Sequence, residues 1–258
     1  LKSRGVLILY SESKQIDYLR LSNLCARLAD HYLGVPTTII KIEPEQKGMR
    51  TFKYTGLDHV KTEWNNIGRF NAYDLSPYDE TILIDADYFV QTDHLANYFG
   101  STHDFLCHTH SWDVTGLDQL SFDEHMSANR FKMRWATVCY FKKSTYAENI
   151  FRMWKSVHEN YEYYSKLIGF SKEPYRNDFC VSIAHQVCAG YSNIDTFKHN
   201  LPAITTLNSV IDYGNKNWLI LYEERNKFNV LRYSGDLHCM NKRCILETDV
   251  YDKLWNSV

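Results

Sequence analysis

The sequence predicts an α/β domain with a mostly parallel central sheet flanked by helices, and three observations carry that prediction. Gly5 to Tyr10 and Thr81 to Ile84 are nearly unbroken apolar runs, the pattern of strands covered on both faces. Between them, Gln15 to Leu33 sets Leu19, Leu21, Leu24, Leu28 and Tyr32 at helical spacing, and a second apolar run, Val35 to Lys41, follows. A strand, a helix and a strand joined this closely form a right-handed parallel crossover. The third observation is chemical. The Thr81–Ile84 run leads straight into Asp85-Ala86-Asp87, at the strand end where ligands of parallel sheets collect.

Each element has its punctuation. Gly34 is placed to end the first helix, and Pro36 sits at the start of the second strand, where a missing N–H is tolerated. Trp64 to Tyr73 carries Trp64, Ile67 and Phe70 at mixed three- and four-residue spacing, which suits a short helix bearing Arg69. Pro77 disfavours helix at Ser76 and so predicts its end there. Met133 to Ser144 reads as a further strand, and Tyr146 to Glu159 as a helix burying Ile150, Phe151, Trp154 and Val157. His103 to Arg130 is polar and without clean periodicity, the profile of a mobile excursion. Within it His108 and His110 stand one residue apart, a spacing that would share a face of a strand, but no matching ligand spacing accompanies them.

Composition narrows the function. A chain of 258 residues suits one α/β enzyme domain, with neither repeat nor linker-like stretch. Its net charge of −2 argues against a protein devoted to gripping nucleic acid. No apolar run reaches the roughly 20 residues needed to span a bilayer, and no signal peptide precedes the first strand. Seven cysteines without a Cys-x-x-Cys pair read as reduced thiols, so the expected setting is cytoplasmic, in a bacterial cell or in the host of a virus.

Asp85 and Asp87 would crowd negative charge at a cleft, and a hard divalent cation relieves that crowding while leaving positions for phosphate oxygens. With the Leu75-Ser76-Pro77-Tyr78-Asp79 turn before the strand, this segment closely resembles GT-A glycosyltransferases, nearest the glycogenin and lipopolysaccharide galactosyltransferase group, family 8. Three further segments extend the resemblance. They are Trp135-Ala136-Thr137, where the family usually has Asn-Ala-Gly beside the donor sugar; Tyr175 to Ala184, with Asp178 at a helix head; and His238 to Lys242 after a glycine turn.

The resemblance implies a single GT-A (Rossmann-like) domain over 1–258 with acceptor-side insertions. Residues 1–100 form its nucleotide-binding half, and 101–258 its acceptor half and metal-site completion. It implies Mn²⁺ or Mg²⁺ held by Asp85, Asp87 and His238, and a nucleotide-sugar donor, by family habit a UDP-sugar. Tyr10, Ser11, Arg69, Asp85, Ala86 and Lys242 would contact that donor, while Asp178, Lys242 and Arg69 would serve the chemistry. Asp178 could also cap its own helix. The expected reaction is glycosyl transfer with retention to a glycan or lipopolysaccharide. Three alternatives remain open. One is modified DNA as acceptor, gripped by Arg130, Lys132, Arg134, Lys142 and Lys143; another is a nucleotidyltransferase, which the glycine-free Leu9 to Lys14 turn disfavours. The third is a non-catalytic nucleotide-sugar-binding module.

Overall fold

A computed structural model describes residues 2–43, 53–55, 61–63, 68–117, 132–169, 175–192 and 195–258. The first half runs β1 (Arg4–Tyr10), α1 (Tyr18–Leu33), β2 (Thr37–Lys41), then a hairpin of β3 (Lys53–Thr55) and β4 (Lys61–Glu63). A 3-10 turn (Arg69–Asn71) leads into α2 (Ala72–Leu75), β5 (Glu80–Ile84), β6 (Tyr88–Phe89), β7 (Phe105–His108) and β8 (Ser111–Asp113). Then come β9 (Trp135–Lys142), α3 (Thr145–Glu159), α4 (Tyr161–Ile168), α5 (Asn177–Cys188) and β10 (Leu201–Ile204). The chain closes with β11 (Ser209–Gly214), β12 (Asn217–Glu224), β13 (Lys227–Tyr233), β14 (Leu237–Cys239), α6 (Arg243–Leu246) and α7 (Val250–Trp255).

The central sheet has the order β2-β1-β5-β9-β7. β1 pairs in parallel with β2 and β5, and β9 runs antiparallel to both of its neighbours, so β9 alone opposes the common direction. Period-two alternation splits each strand between two cores. Val6, Ile8, Ile82, Ile84, Val138 and Tyr140 face α1 and α7, while Leu7, Leu9, Leu83, Cys139 and Phe141 face α3 and α5. That double covering explains the unbroken apolar runs. Burying each such Leu or Ile contributes about 1.5–3 kcal/mol before ordering costs.

Local signals set the boundaries. Asp17 caps α1 by accepting from the Arg20 N–H at 2.9 Å, and Gly34 closes it at φ +65°, as predicted; the helix begins at Tyr18 and not at Gln15. α2 stops before Ser76, whose ψ of 128° is the extended conformation Pro77 demands. Of the predicted 64–73 helix, residues 64–67 lie outside the described residues and the rest is the 3-10 turn plus α2. Ser144 caps α3 through the Ala147 N–H.

One expectation needs correction. His103–Arg130 is not a structureless excursion: its described part supplies β7, an edge of the central sheet, and β8, an edge of a second sheet ordered β6-β14-β10-β8. Residues 118–131 lie outside the described set. His108 is fully buried and His110 is exposed, so the two do not share a site. The β11-β12-β13 meander was not anticipated. Its turns place Asn215, Lys216, Arg225 and Asn226 at positive φ, the conformation two-residue hairpins require. No described helix is long and apolar enough to cross a membrane, and all seven cysteines are free.

Two tests follow from this packing. The Tyr78 ring lies where a Cβ on Gly5 would go, and the Tyr78 hydroxyl is tied to Thr38 Oγ1 at 2.7 Å. Gly5→Ala should therefore cost about 1–3 kcal/mol by urea denaturation, because the ring cannot retreat freely. His108 and His185 are buried and neutral: burial holds His108 well below its ordinary value, and burial with Arg134 holds His185 down to about 3. The unfolded chain binds protons first, below about 6.5, so stability is whole above that pH and falls on acidification. Each histidine adds up to about 1.4 kcal/mol per pH unit, and His185→Gln should show a shallower decline of the urea midpoint between pH 7 and 5.

Candidate active site

The parallel strands β1, β2 and β5 end on one edge of the sheet. Tyr10 and Ser11 lie at the end of β1, and Asp85 begins the turn after β5. The Asp85 N–H donates to the Thr137 carbonyl at 3.0 Å, and the Tyr88 N–H donates back to the Asp85 carbonyl at 3.1 Å. This turn reverses the chain into β6, which pairs antiparallel with β14 in the register Tyr88 with His238. The Cys239 N–H donates to the Asp87 carbonyl at 2.9 Å. A short β-pairing across about 150 residues of sequence thus sets His238 beside Asp87.

The donor atoms of Asp85, Asp87 and His238 lie within 4.8 Å of one another, and among the described residues no other group of three such ligands forms. Two hard carboxylates and an imidazole are a fitting set for Mn²⁺, or for Mg²⁺ with the carboxylates. His238 turns Nε2 toward Asp87 Oδ1 at 3.5 Å, while its Nδ1 is buried without a hydrogen-bond partner. Lys242, four residues on at the head of α6, places Nζ 2.6 Å from Asp87 Oδ2.

The electrostatics follow from burial opposed by partners. Burial pushes the Asp87 carboxyl up, but Lys242 and then His238 overcome it and hold Asp87 below the usual carboxylate range. Burial pulls Lys242 down, but Asp87 and then Tyr18 overcome it and raise the ammonium above its ordinary value. Asp85 is raised, because burial outweighs Arg69 and the Asp87 charge adds to it.

Arg69 is fully buried. It pairs with Asp85 Oδ1 and donates to the Ala136 carbonyl, with Thr137 O at 3.3 Å. The expected direct grip on a diphosphate is therefore corrected: Arg69 positions Asp85 and the β9 backbone. Ala86 is also turned inward. Its side chain packs in the core and its carbonyl accepts from Cys25 Sγ at 3.1 Å.

Asp178 does not cap α5, whose N-cap is Arg176 without a side-chain cap bond. Instead Asp178 Oδ1 accepts from the Ala136 N–H at 2.8 Å, and Oδ2 from Arg176 Nη2 at 2.8 Å. Arg176 in turn lies over the Trp135 and Phe179 rings, 5.7 and 5.4 Å from their centroids. Asp178 thus joins the Ala136 strand end that Arg69 holds from the other side.

Of the basic residues proposed to grip DNA, Lys132 and Lys143 are exposed. Arg134 is buried, Lys142 and Lys143 donate to the Ser101 and Tyr73 carbonyls, and Arg130 lies outside the described residues.

Sequence reasoning missed three contributors. Tyr18, in the first turn of α1, is raised first by burial and is felt electrostatically by Lys242, Asp87 and Asp85. Arg176 was passed over beside Asp178. Asp236 is the third. Its carboxylate accepts from the Gln91 and Thr92 N–H groups at 2.7 and 2.8 Å and from the Tyr88 hydroxyl at 3.1 Å. These bonds clamp the β6 strand to β14. No local pattern announces Asp236 or Tyr18; the Ser234-Gly235-Asp236 turn before His238 was the available signal for the former.

Solved structures that resemble this chain include glycosyltransferases. No family model and no curated protein matches it. Among the structures are the glycosyltransferase GlyE of Streptococcus pneumoniae TIGR4 in its apo form, at TM-score 0.41 and 13% identity over 75% of this chain and 45% of that one. Another is the galactosyltransferase LgtC in complex with donor and acceptor sugar analogs, at TM-score 0.40 and 13% identity, covering 70% and 69%. A glycosyltransferase involved in glycosylation of the major capsid of PBCV-1 aligns at TM-score 0.33 and 12% identity, covering 67% and 80%. The chain spans under half the length of GlyE.

Removal of the Asp236 carboxylate tests whether the clamp sets the ligand geometry. Asp236→Ala leaves buried N–H and O–H donors unpaired and should cost about 2–4 kcal/mol. Groups that orient metal ligands typically change metal affinity 10–100-fold, so Mn²⁺ binding by calorimetry should weaken by about that factor while the variant remains folded by circular dichroism.

Proposed function

We propose that this chain is a metal-dependent glycosyltransferase that takes its sugar from a nucleoside-diphosphate donor, by family resemblance a UDP-sugar. The observation that carries this reading is the convergence of Asp85, Asp87, His238 and Lys242 at the C-terminal edge of a parallel sheet. Three oxygen and nitrogen ligands with a lysine beside them match the needs of a diphosphate better than those of a neutral substrate.

Bound to Asp85, Asp87 and His238, Mn²⁺ or Mg²⁺ supplies Lewis-acid stabilisation of the negative charge that grows on a leaving diphosphate. The chain's own residues do the rest. Arg69 fixes the Asp85 carboxylate in place from within the core. Lys242 offers a point charge to phosphate oxygens. Tyr10 and Ser11, at the end of β1, border the space for a base. A cleft lined by Lys41, Ile42, Gly68, Asn71 and Asp74 opens beside the same strand ends.

Asp178 faces the donor-sugar side. Its carboxylate is oriented by Arg176 and the Ala136 amide, which favours a hydrogen-bonding role toward sugar hydroxyls. We assign retention of configuration by the same family resemblance, and a glycan as the acceptor. The buried or backbone-bonded basic residues give modified DNA no support. Whether 1–100 and 101–258 divide into donor and acceptor halves rests on the same reading.

The test is calorimetry of UDP with Mn²⁺ against the wild type and Asp87→Ala. The expected result is metal-dependent UDP binding that is lost, by at least about a hundredfold, when the carboxylate goes. Binding of a different nucleoside diphosphate keeps the glycosyltransferase and changes the base. Binding of none, with metal present, rejects the reading in favour of a fold without this activity.

A further inference from the structure

Lys242 stands where a divalent cation would have to compete. Both oxygens of Asp87 are engaged: Oδ2 by Lys242 Nζ at 2.6 Å and Oδ1 by His238 Nε2 at 3.5 Å. The side chains of Asp87 and Lys242 are only 8% and 13% exposed, so water screens the pair weakly. Charge is already balanced here. The two carboxylates, Asp85 and Asp87, face two cations, Arg69 and Lys242. Arg69 is fully buried against Asp85 and backbone carbonyls, whereas Lys242 reaches Asp87, and the Met240 carbonyl at 3.4 Å, on a four-carbon stem at the head of a single-turn helix.

A divalent cation added to this neutral cluster would leave two excess positive charges in a desolvated site. It would also meet the ammonium at the same carboxylate. Two changes relieve this together: Lys242 leaves Asp87, and an anion of charge near −2 arrives to receive both cations. A nucleoside-diphosphate sugar has that charge, one on each phosphate, and a free nucleoside diphosphate adds up to one more.

We propose that Lys242 is the resident counter-cation of the site, that a divalent cation enters by displacing it, and that metal and diphosphate therefore load together. This rests on the metal-dependent reading above. Linkage makes the coupling reciprocal: diphosphate tightens metal binding by the factor by which metal tightens diphosphate binding. Removing the ammonium should separate the two ligands, making metal alone bind better and the coupling smaller.

The experiment titrates Mn²⁺ into nucleotide-free wild type, Lys242→Gln and Lys242→Met, following the free Mn²⁺ signal by electron paramagnetic resonance, and repeats each titration with UDP. Both variants are expected to bind Mn²⁺ alone about tenfold or more tightly than wild type, within the usual span of coupling energies. UDP should then strengthen Mn²⁺ binding more in wild type than in either variant. Equal Mn²⁺ affinity in all three, with equal gains from UDP, overturns the proposal and leaves the metal-dependent reading standing. Absence of Mn²⁺ binding in all three, with and without UDP, overturns both. If neither variant folds, wild type decides alone. A gain of about tenfold or more from UDP supports joint loading, and Mn²⁺ binding as tight without UDP as with it rejects it.

Discussion

Two carboxylates one residue apart, at the end of a strand buried on both faces, must be neutralised, and the surroundings of this site are arranged by that requirement. Unpaired, each would cost several kcal/mol in so dry a place. Arg69 answers Asp85 from inside the core, and Lys242 answers Asp87 from the far end of the sequence. His238 completes the set, its Nε2 lying 3.5 Å from the Asp87 oxygen that the lysine does not hold. The opposite displacements of the two carboxyls express this asymmetry. Asp87 is held low because Lys242 and His238 together overcome its burial, while at Asp85 burial outweighs Arg69 and the carboxyl stands high.

Such an arrangement needs the chain to close on itself with small tolerance. The central sheet fixes Asp85, but nothing in it fixes Asp87 relative to His238. That is the work of β6 and β14, two short strands whose pairing is reinforced by the Asp236 carboxylate and by the Cys239 amide on the Asp87 carbonyl. β10 then pairs with β14 on its other side, and Asn241 Nδ2 donates to the Asn208 carbonyl and Ser209 Oγ at 3.0 Å each. The meander that begins at β11 is in this way tied to the loop carrying Lys242. A region far from the strand ends in sequence therefore bears on the position of the cation.

The legible parts of the chain were those governed by short-range rules. Apolar runs gave the strands because both faces of β1 and β5 are covered. Gly34 and Pro77 gave helix ends because φ and steric exclusion act on one or two residues. Asp85, Asp87 and His238 were legible through motif and resemblance, and the structure brings all three together. β7 and β8 were not legible: they are four and three residues long and lie at sheet edges, where polar neighbours blur the alternation. The capping role that Asp178 could also have played is not taken up, and its partner, the Ala136 amide, is 42 residues away, out of reach of local pattern. Arg69 was assigned to ligand because nothing local reveals that its guanidinium is fully buried.

The Arg69 and Lys242 pair also separates two kinds of positive charge that a motif cannot distinguish. An arginine enclosed by one carboxylate and two carbonyls has both terminal nitrogens engaged, and its planar fork makes it a rigid brace. A lysine paired with Asp87 at 2.6 Å and donating to the Met240 carbonyl at 3.4 Å, at the start of a single-turn helix, carries its charge on a long unbranched stem. Position in the fold, and not charge, decides which of them can answer an incoming anion. The brace lies on the Asp85 side, so the exchange of charge proposed above falls on the Asp87 side. The residue that can move is then the one whose replacement alters how ligands depend on one another, while replacement of the brace alters whether the site exists.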